Sequence, residues 1–220
     1  LSTVESVSGY VGNFQARIRT EPSYVDINKC NSCGDCTTAC EIIVPNEFDC
    51  GLKSRKAIYK PFPQAVPSVF RIDMQSCLGN LPIACGKCQE VCEANAINYN
   101  DKPKFKDVNV GTIVVATGFN THDPMLNNDY GYGIYQDVLT SIEYERIVSA
   151  EGPTHGELVR PSDFRKPKSV AFIQCVGSRN KKIGKEYCSN YCCINSVKQA
   201  VLLKEHWPEM DAVIHYIDLR

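Results

Sequence analysis

Residues 30–40 read CNSCGDCTTAC, four cysteines spaced C-x2-C-x2-C-x3-C. Four thiols within eleven residues are too close in the chain to be spread through a packed core. Three thiolates set two residues apart wrap one side of a small metal cluster. Ser32 and Gly34 between them are small, so backbone amides turn toward the sulfurs. Cys40, after a gap of three, points away toward a second cluster. Zinc favours two separated CxxC pairs. The run therefore reads as an iron–sulfur site, with zinc and disulfides as the alternatives. Cys40 is followed by Glu41, where this spacing is usually followed by Pro. Ligation does not need that proline, but local packing differs.

A second cluster demands a second run. Cys77, Cys85, Cys88 and Cys92 supply it as C-x7-C-x2-C-x3-C. The longer first gap, LGNLPIA, carries Gly79 and Pro82 and is expected to bulge without breaking the site. In the crossed arrangement of two-cluster ferredoxins, Cys30, Cys33, Cys36 and Cys92 hold one cluster. Cys77, Cys85, Cys88 and Cys40 hold the other. Cys50 lies outside both runs and reads as a bystander thiol. Residues 24–101 contain nine of the thirteen cysteines, the proline-rich PFPQAVP and no long periodic helix. Such a module is organised by something other than a large apolar core.

On the N-terminal side, residues 1–23 alternate like a β-hairpin, with Gly12-Asn13 as the turn. On the C-terminal side, NVGTIVVATG (109–118) reads as a strand ending in a glycine turn. Residues 141–150 read as a helix capped by Ser141. Residues 169–174, 197–206 and 212–217 read as strand, helix and strand, a βαβ unit whose strands are parallel. Cys175 ends its first strand, Cys188 lies in the connection, and Cys192 and Cys193 stand at the mouth of its helix. A dinucleotide-binding unit places a glycine fingerprint there, but this turn offers only CVGSRN. A third [4Fe–4S] cluster is the first reading of these four cysteines. A redox disulfide is its main rival, and inert core thiols are a third possibility. A ring closed between the vicinal Cys192 and Cys193 would be strained.

Composition narrows the function further. A net charge of −1 with 22% charged residues excludes a polybasic nucleic-acid binder. Apolar runs such as 112–116 and 201–203 are too short to span a membrane. An odd cysteine count argues against a secreted disulfide scaffold, and the cysteine spacing favours a reducing, intracellular compartment with metal. His122, His155, His206 and His215 form no ligand spacing. No G-x-S-x-G or phosphate-loop motif occurs. Strand-like patterns at both ends suggest a piece of a longer protein.

VGTIVVATGF (110–119) resembles the apolar strand and ATG turn found late in two-dinucleotide flavoproteins, with Ala116, Thr117 and Gly118 beside the flavin nucleotide. Lys198, near the third cysteine set, and Glu145 are candidate flavin partners, since a lysine stabilises a reduced anionic flavin. Their plainer reading is a solvated face.

Over essentially all 220 residues the chain resembles the A subunit of heterodisulfide reductase. The match runs through SGYVGNF, CNSCGDCTTAC, VPNEFD, RKAIY, PFPQAVP, ATGF, RPSD, SVAFIQCVGSR, YCSNYCCINSVKQAVLLKEH and YIDLR. The resemblance implies an α/β, thioredoxin-reductase-like FAD- and nucleotide-binding core, here partial, with an inserted two-cluster ferredoxin-like α+β module. Residues 1–23 and 109–167 would belong to the flavin domain, and 24–108 would be the insert. Residues 168–220 would begin a second nucleotide-type domain carrying the third cluster. The resemblance implies three [4Fe–4S] clusters, and FAD in the full-length protein. It implies a cytoplasmic, dimeric complex with the B and C subunits of the reductase, a hydrogenase or formate dehydrogenase donor, and ferredoxin. The implied activity is electron relay and bifurcation towards the coenzyme M–coenzyme B heterodisulfide. Alternatives are a homologous electron-transfer subunit in sulfur or sulfate metabolism, a non-catalytic ferredoxin-type carrier, or a zinc-stabilised interaction module.

Overall fold

A computed structural model describes residues 1–80, 85–127 and 129–220. The chain divides into two units, Leu1–Gly118 and Phe119–Arg220.

The first unit opens with β1 (Ser2–Tyr10) and β2 (Asn13–Thr20), paired antiparallel from Ser2↔Thr20 to Tyr10↔Asn13 with an irregularity between Val4 and Ser6. Gly12 turns the hairpin in a left-handed conformation (φ +91°) that a side chain would strain. The cysteine-rich stretch follows. It contains α1 (Asp35–Ala39), β3 (Ile43–Pro45), β4 (Ser54–Lys56), β5 (Ile58–Tyr59), β6 (Arg71–Ile72) and α2 (Lys87–Glu90). β3 pairs with β4 and β5 with β6, both antiparallel. Then β7 (Lys104–Val110) returns to the hairpin and pairs with β2 from Phe14↔Val110 to Thr20↔Lys104.

The strand expected at 109–118 is thus displaced: it runs from 104 to 110, and no strand covers 112–117. The pairing register explains this. Val110 lies opposite Phe14 at the start of β2, and beyond it the hairpin turn takes over, with Gly12 N–H donating to Gly111 O at 2.9 Å. Apolar composition alone does not make a strand; a ladder partner is needed. Val114 and Val115 are exposed.

The core of the cysteine-rich stretch is small. Val25, Ile58, Phe70, Ile72, Ala96 and Ile97 pack together with the buried Cys36 and Cys88. A bridge between Val25 and Ile97 closes it. Beside it, the Arg55 guanidinium is nearly buried. It pairs with Glu47 and Asp73 and lies 3.8 Å from the centre of the Tyr59 ring.

The second unit contains α3 (Ser141–Ile147), β8 (Ser169–Ile173), α4 (Cys192–His206) and β9 (Asp211–His215). β8 and β9 are parallel, Ser169↔Asp211 through Ile173↔His215, as the βαβ pattern requires. Two boundaries differ from expectation. The cap of α3 is Thr140, not Ser141. Its hydroxyl accepts from Glu143 N–H at 3.3 Å, while Thr140 N–H donates to the Glu143 carboxylate at 2.6 Å. This reciprocal capping box places Ser141 inside the first turn, and the helix ends at Ile147, before 150. The second difference is α4, which begins at Cys192, five residues before the apolar stretch starting at Val197. No Gly or Pro breaks CCINS, so the helix continues backward through it. Leu203 and Met210 are fully buried, and Tyr144 meets Phe172 edge-on at 5.6 Å. Among the described residues no helix is long and apolar enough to cross a membrane.

Candidate metal centres

Gly34 and Gly86 precede α1 and α2, each with a left-handed backbone (φ +97° and +64°). These turns let a cysteine loop curl directly into a short helix. α1 carries Cys36 and α2 carries Cys88, and the two helices pack on each other.

Cys30, Cys33, Cys36 and Cys92 line one cavity, whose other walls include Val25, Phe70, Ala94, Ala96 and Ile97. Three sulfurs come from the first run and one from the second. Ala96 N–H donates to Cys92 Sγ at 3.4 Å. Burial pushes the Cys36 thiol up to about 11, against the hydrogen bonds of Thr37, and the charges of Cys88 and Cys30 add to the rise. A thiol there keeps its proton unless a cation takes its place.

Cys40 lies close enough to Cys88 for its charge to act there. Burial is the main cause that raises the Cys88 thiol, and the charges that add to it come from Cys77, Cys40 and Cys85. The Tyr99 hydroxyl shares a hydrogen bond with Cys88 Sγ at 3.0 Å, and Gly79 N–H donates to Cys77 Sγ at 3.4 Å. A Cβ on Gly79 would stand 2.9 Å from the Tyr99 ring, so the absent side chain makes room for the tyrosine. Sequence reasoning missed Tyr99. Its position seven residues after Cys92 carries no pattern of its own. The expected bulge of the inter-cysteine loop falls largely on residues 81–84, outside the described residues.

In the second unit, Cys175 follows β8 with a left-handed backbone (φ +62°). Cys192 and Cys193 are the first two residues of α4. Burial is the main cause that raises the Cys175 thiol; Cys192 adds to the rise and Arg179 works against it. Cys193 is buried, with its Sγ 3.4 Å from Gln174 Oε1. Cys188, in the connecting loop, accepts Asn190 N–H at 3.4 Å.

None of the thirteen cysteines forms a disulfide. Among the described residues no three Cys, His, Asp or Glu side chains converge tightly enough to hold a single metal ion. A cubane asks for something else. Its four thiolates bind four different irons, so they stand farther apart than the ligands of one ion. Four cysteines alone would also suit zinc; it is the close spacing of the first two runs that fits a cluster better. Cys50 is exposed and ends a short turn after Asp49.

The residues proposed to meet a flavin fall in different units. Ala116, Thr117 and Gly118 follow β7 in the first, exposed, and Gly118 has the left-handed turn (φ +71°) expected of it. Glu145 on α3 and Lys198 on α4 lie in the second and pair at 3.4 Å. Gln199 Nε2 also donates to Glu145, at 3.2 Å, and to Ser141 O, at 3.1 Å. These contacts tie α3 to α4, which gives both charged residues a structural task in this unit.

No family model matches the chain. Individual relatives do. It is 49% identical over 99% of its length to the iron–sulfur A subunit of the CoB–CoM heterodisulfide reductase of Methanocaldococcus jannaschii, of which it spans 32%. It is 53% identical, with the same coverage, to the protein of the same name, numbered 2, from Methanopyrus kandleri. Over its full length it is 43% identical to the A subunit of the ferredoxin/F420H2-dependent CoB–CoM heterodisulfide reductase of Methanosarcina acetivorans, spanning 27% of it. The chain thus covers about a third of these relatives. Identity at this level over 99% of the chain leaves one conclusion: the chain belongs to the heterodisulfide reductase A-subunit family, as a segment of about a third of its relatives' length.

Proposed function

We propose that this segment is an electron relay of an oxidoreductase acting on a sulfur–sulfur bond, built around three [4Fe–4S] clusters. Cys30, Cys33, Cys36 and Cys92 would hold the first, Cys77, Cys85, Cys88 and Cys40 the second, and Cys175, Cys188, Cys192 and Cys193 the third. The observation that carries the reading is the cavity shared by three cysteines of the first run and Cys92 of the second. Interleaved runs of this kind bring two one-electron centres close together, which suits transfer rather than bond chemistry. Bound clusters would supply one-electron redox steps, with potentials set by burial and by hydrogen bonds to sulfur.

In the longer protein the relay would serve reduction of the CoB–CoM heterodisulfide by the B and C subunits. FAD near Ala116–Gly118 would divide electron pairs between that branch and ferredoxin. The names of relatives give the electron source variously as H2, H2 or formate, and ferredoxin or F420H2. A complex in the cytoplasm fits these soluble donors.

Iron content tests the crossed pairing directly. Cys36→Ala and Cys92→Ala would each remove one cluster, about four iron. The double variant is expected to lose no more than either single change, because both residues serve the same centre. Combining Cys88→Ala with Cys92→Ala is expected to remove about eight. The reverse pattern would assign each run to its own cluster.

A further inference from the structure

Two side chains beside the third cysteine set, Gln174 and Arg179, have no part in ligation, and the first faces one of its sulfurs. Gln174 continues the β8 ladder, its N–H donating to His215 O at 3.0 Å, and it is only 5% exposed. Its Oε1 faces Cys193 Sγ at 3.4 Å, and its Nε2 is buried without a hydrogen-bond partner. An idle buried donor is destabilising, because its desolvation is not offset. The conflict disappears when the sulfur is a ligand. An iron-bound cysteine has no proton to give Oε1. The amide, turned over, then presents Nε2–H to a sulfur that only accepts; the two ends of an amide exchange places by that rotation.

Arg179 approaches from the loop CVGSRN. It stands four positions after Cys175, and its guanidinium forms an ion pair with Asp218. The carbonyl of Asp218 in turn stands 3.9 Å from Cys193 Sγ. Cys175, Gly177 and Arg179 all have left-handed backbones, and a Cβ on Gly177 would collide with the His122 ring. The loop is therefore tightly specified, more tightly than a solvated turn requires.

Resting on the assignment of a cluster to Cys175, Cys188, Cys192 and Cys193, we propose that Gln174 and Arg179 are positioning residues. They donate hydrogen bonds to Cys193 and Cys175 and raise that centre's reduction potential. Reduction adds negative charge, which an N–H dipole and a guanidinium both stabilise. Arg179 contributes a full charge and Gln174 a dipole, so the arginine has the larger effect.

The test uses the full-length protein, prepared anaerobically and titrated potentiometrically with EPR detection. Gln174→Met keeps the length of the side chain without an N–H. Arg179→Gln removes the charge, and Arg179→Lys keeps it. With iron retained, the midpoint of this centre is expected to fall in Gln174→Met and further in Arg179→Gln. The larger change is about tenfold in the oxidised-to-reduced ratio, 59 mV for one electron. Arg179→Lys is expected to recover most of it, and the other signals stay in place. Selective loss of this centre in Arg179→Gln, restored by Arg179→Lys, also supports the proposal. Unchanged midpoints in Gln174→Met and Arg179→Gln overturn it and leave the cluster assignment standing. Loss of all three centres in every variant overturns it too, marking the residues as structural. If the unaltered protein lacks this centre, the assignment itself fails and the proposal with it.

Discussion

Arg55 does for the cysteine-rich stretch what a larger apolar core does elsewhere. Its side chain is 7% exposed, clasped by Glu47 and Asp73 and stacked on Tyr59. Asp73 also accepts from Ser76 Oγ at 2.9 Å and from Gln75 N–H at 3.0 Å. Burial works to raise the Asp73 carboxyl, but the hydrogen bonds from Arg55, Ser76 and Gln75 prevail and hold it below its ordinary value. A carboxyl depressed by folding contributes stability above the usual carboxylate range, about 3.9. That contribution fades as the pH falls through the lower folded value. Asp73→Ala is expected to cost about 1–3 kcal/mol at pH 7. In denaturant unfolding the gap between variant and parent should narrow below about pH 4; a gap independent of pH would contradict this role. Arg55 and Asp73, like Tyr99, Gln174 and Arg179, are not legible in the sequence. Their partners lie 8 to 39 positions away, and nothing local marks them. The cysteine runs stand out in the sequence because their pattern is local, a spacing of a few residues.

Among the elements, those with local causes are readable. The β1–β2 hairpin follows from alternation and Gly12-Asn13, and the parallel pair β8–β9 follows from a strand–helix–strand pattern. Boundaries set by neighbours are not. The valines of 109–118 point to a strand there, whereas the register against β2 places β7 at 104–110. Apolar spacing starts α4 at Val197, whereas the helix runs back through Cys192. Ser141 has the side chain of a good cap, but Thr140 has the extended backbone a cap needs (ψ 159°) and the reciprocal bond with Glu143. Thr140→Ala is therefore expected to destabilise the second unit by about 1 kcal/mol, and Ser141→Ala by much less; thermal melts of the two variants decide it. Leu203 has no exposed surface and anchors α4, which packs against β9. Leu203→Ala is expected to cost about 2–5 kcal/mol in the same melts. A loss near that of an exposed position such as Val201 would show the helix to be loosely packed.

At the scale of the whole molecule, the chain combines a unit whose cysteine-rich stretch has only a small core with a unit whose βαβ core carries a further cysteine set. The first needs help to be stable, since short helices and two-stranded ladders bury little apolar surface. Clusters would supply it, because ligation energy becomes folding energy where the ligands are otherwise scattered. The central claim, three cysteine sets holding three clusters, is most directly tested by iron and acid-labile sulfide per chain on anaerobically prepared protein, with EPR of the reduced form. The account predicts about twelve of each, four per cubane. About eight of each would leave Cys175, Cys188, Cys192 and Cys193 without a cluster and contradict it.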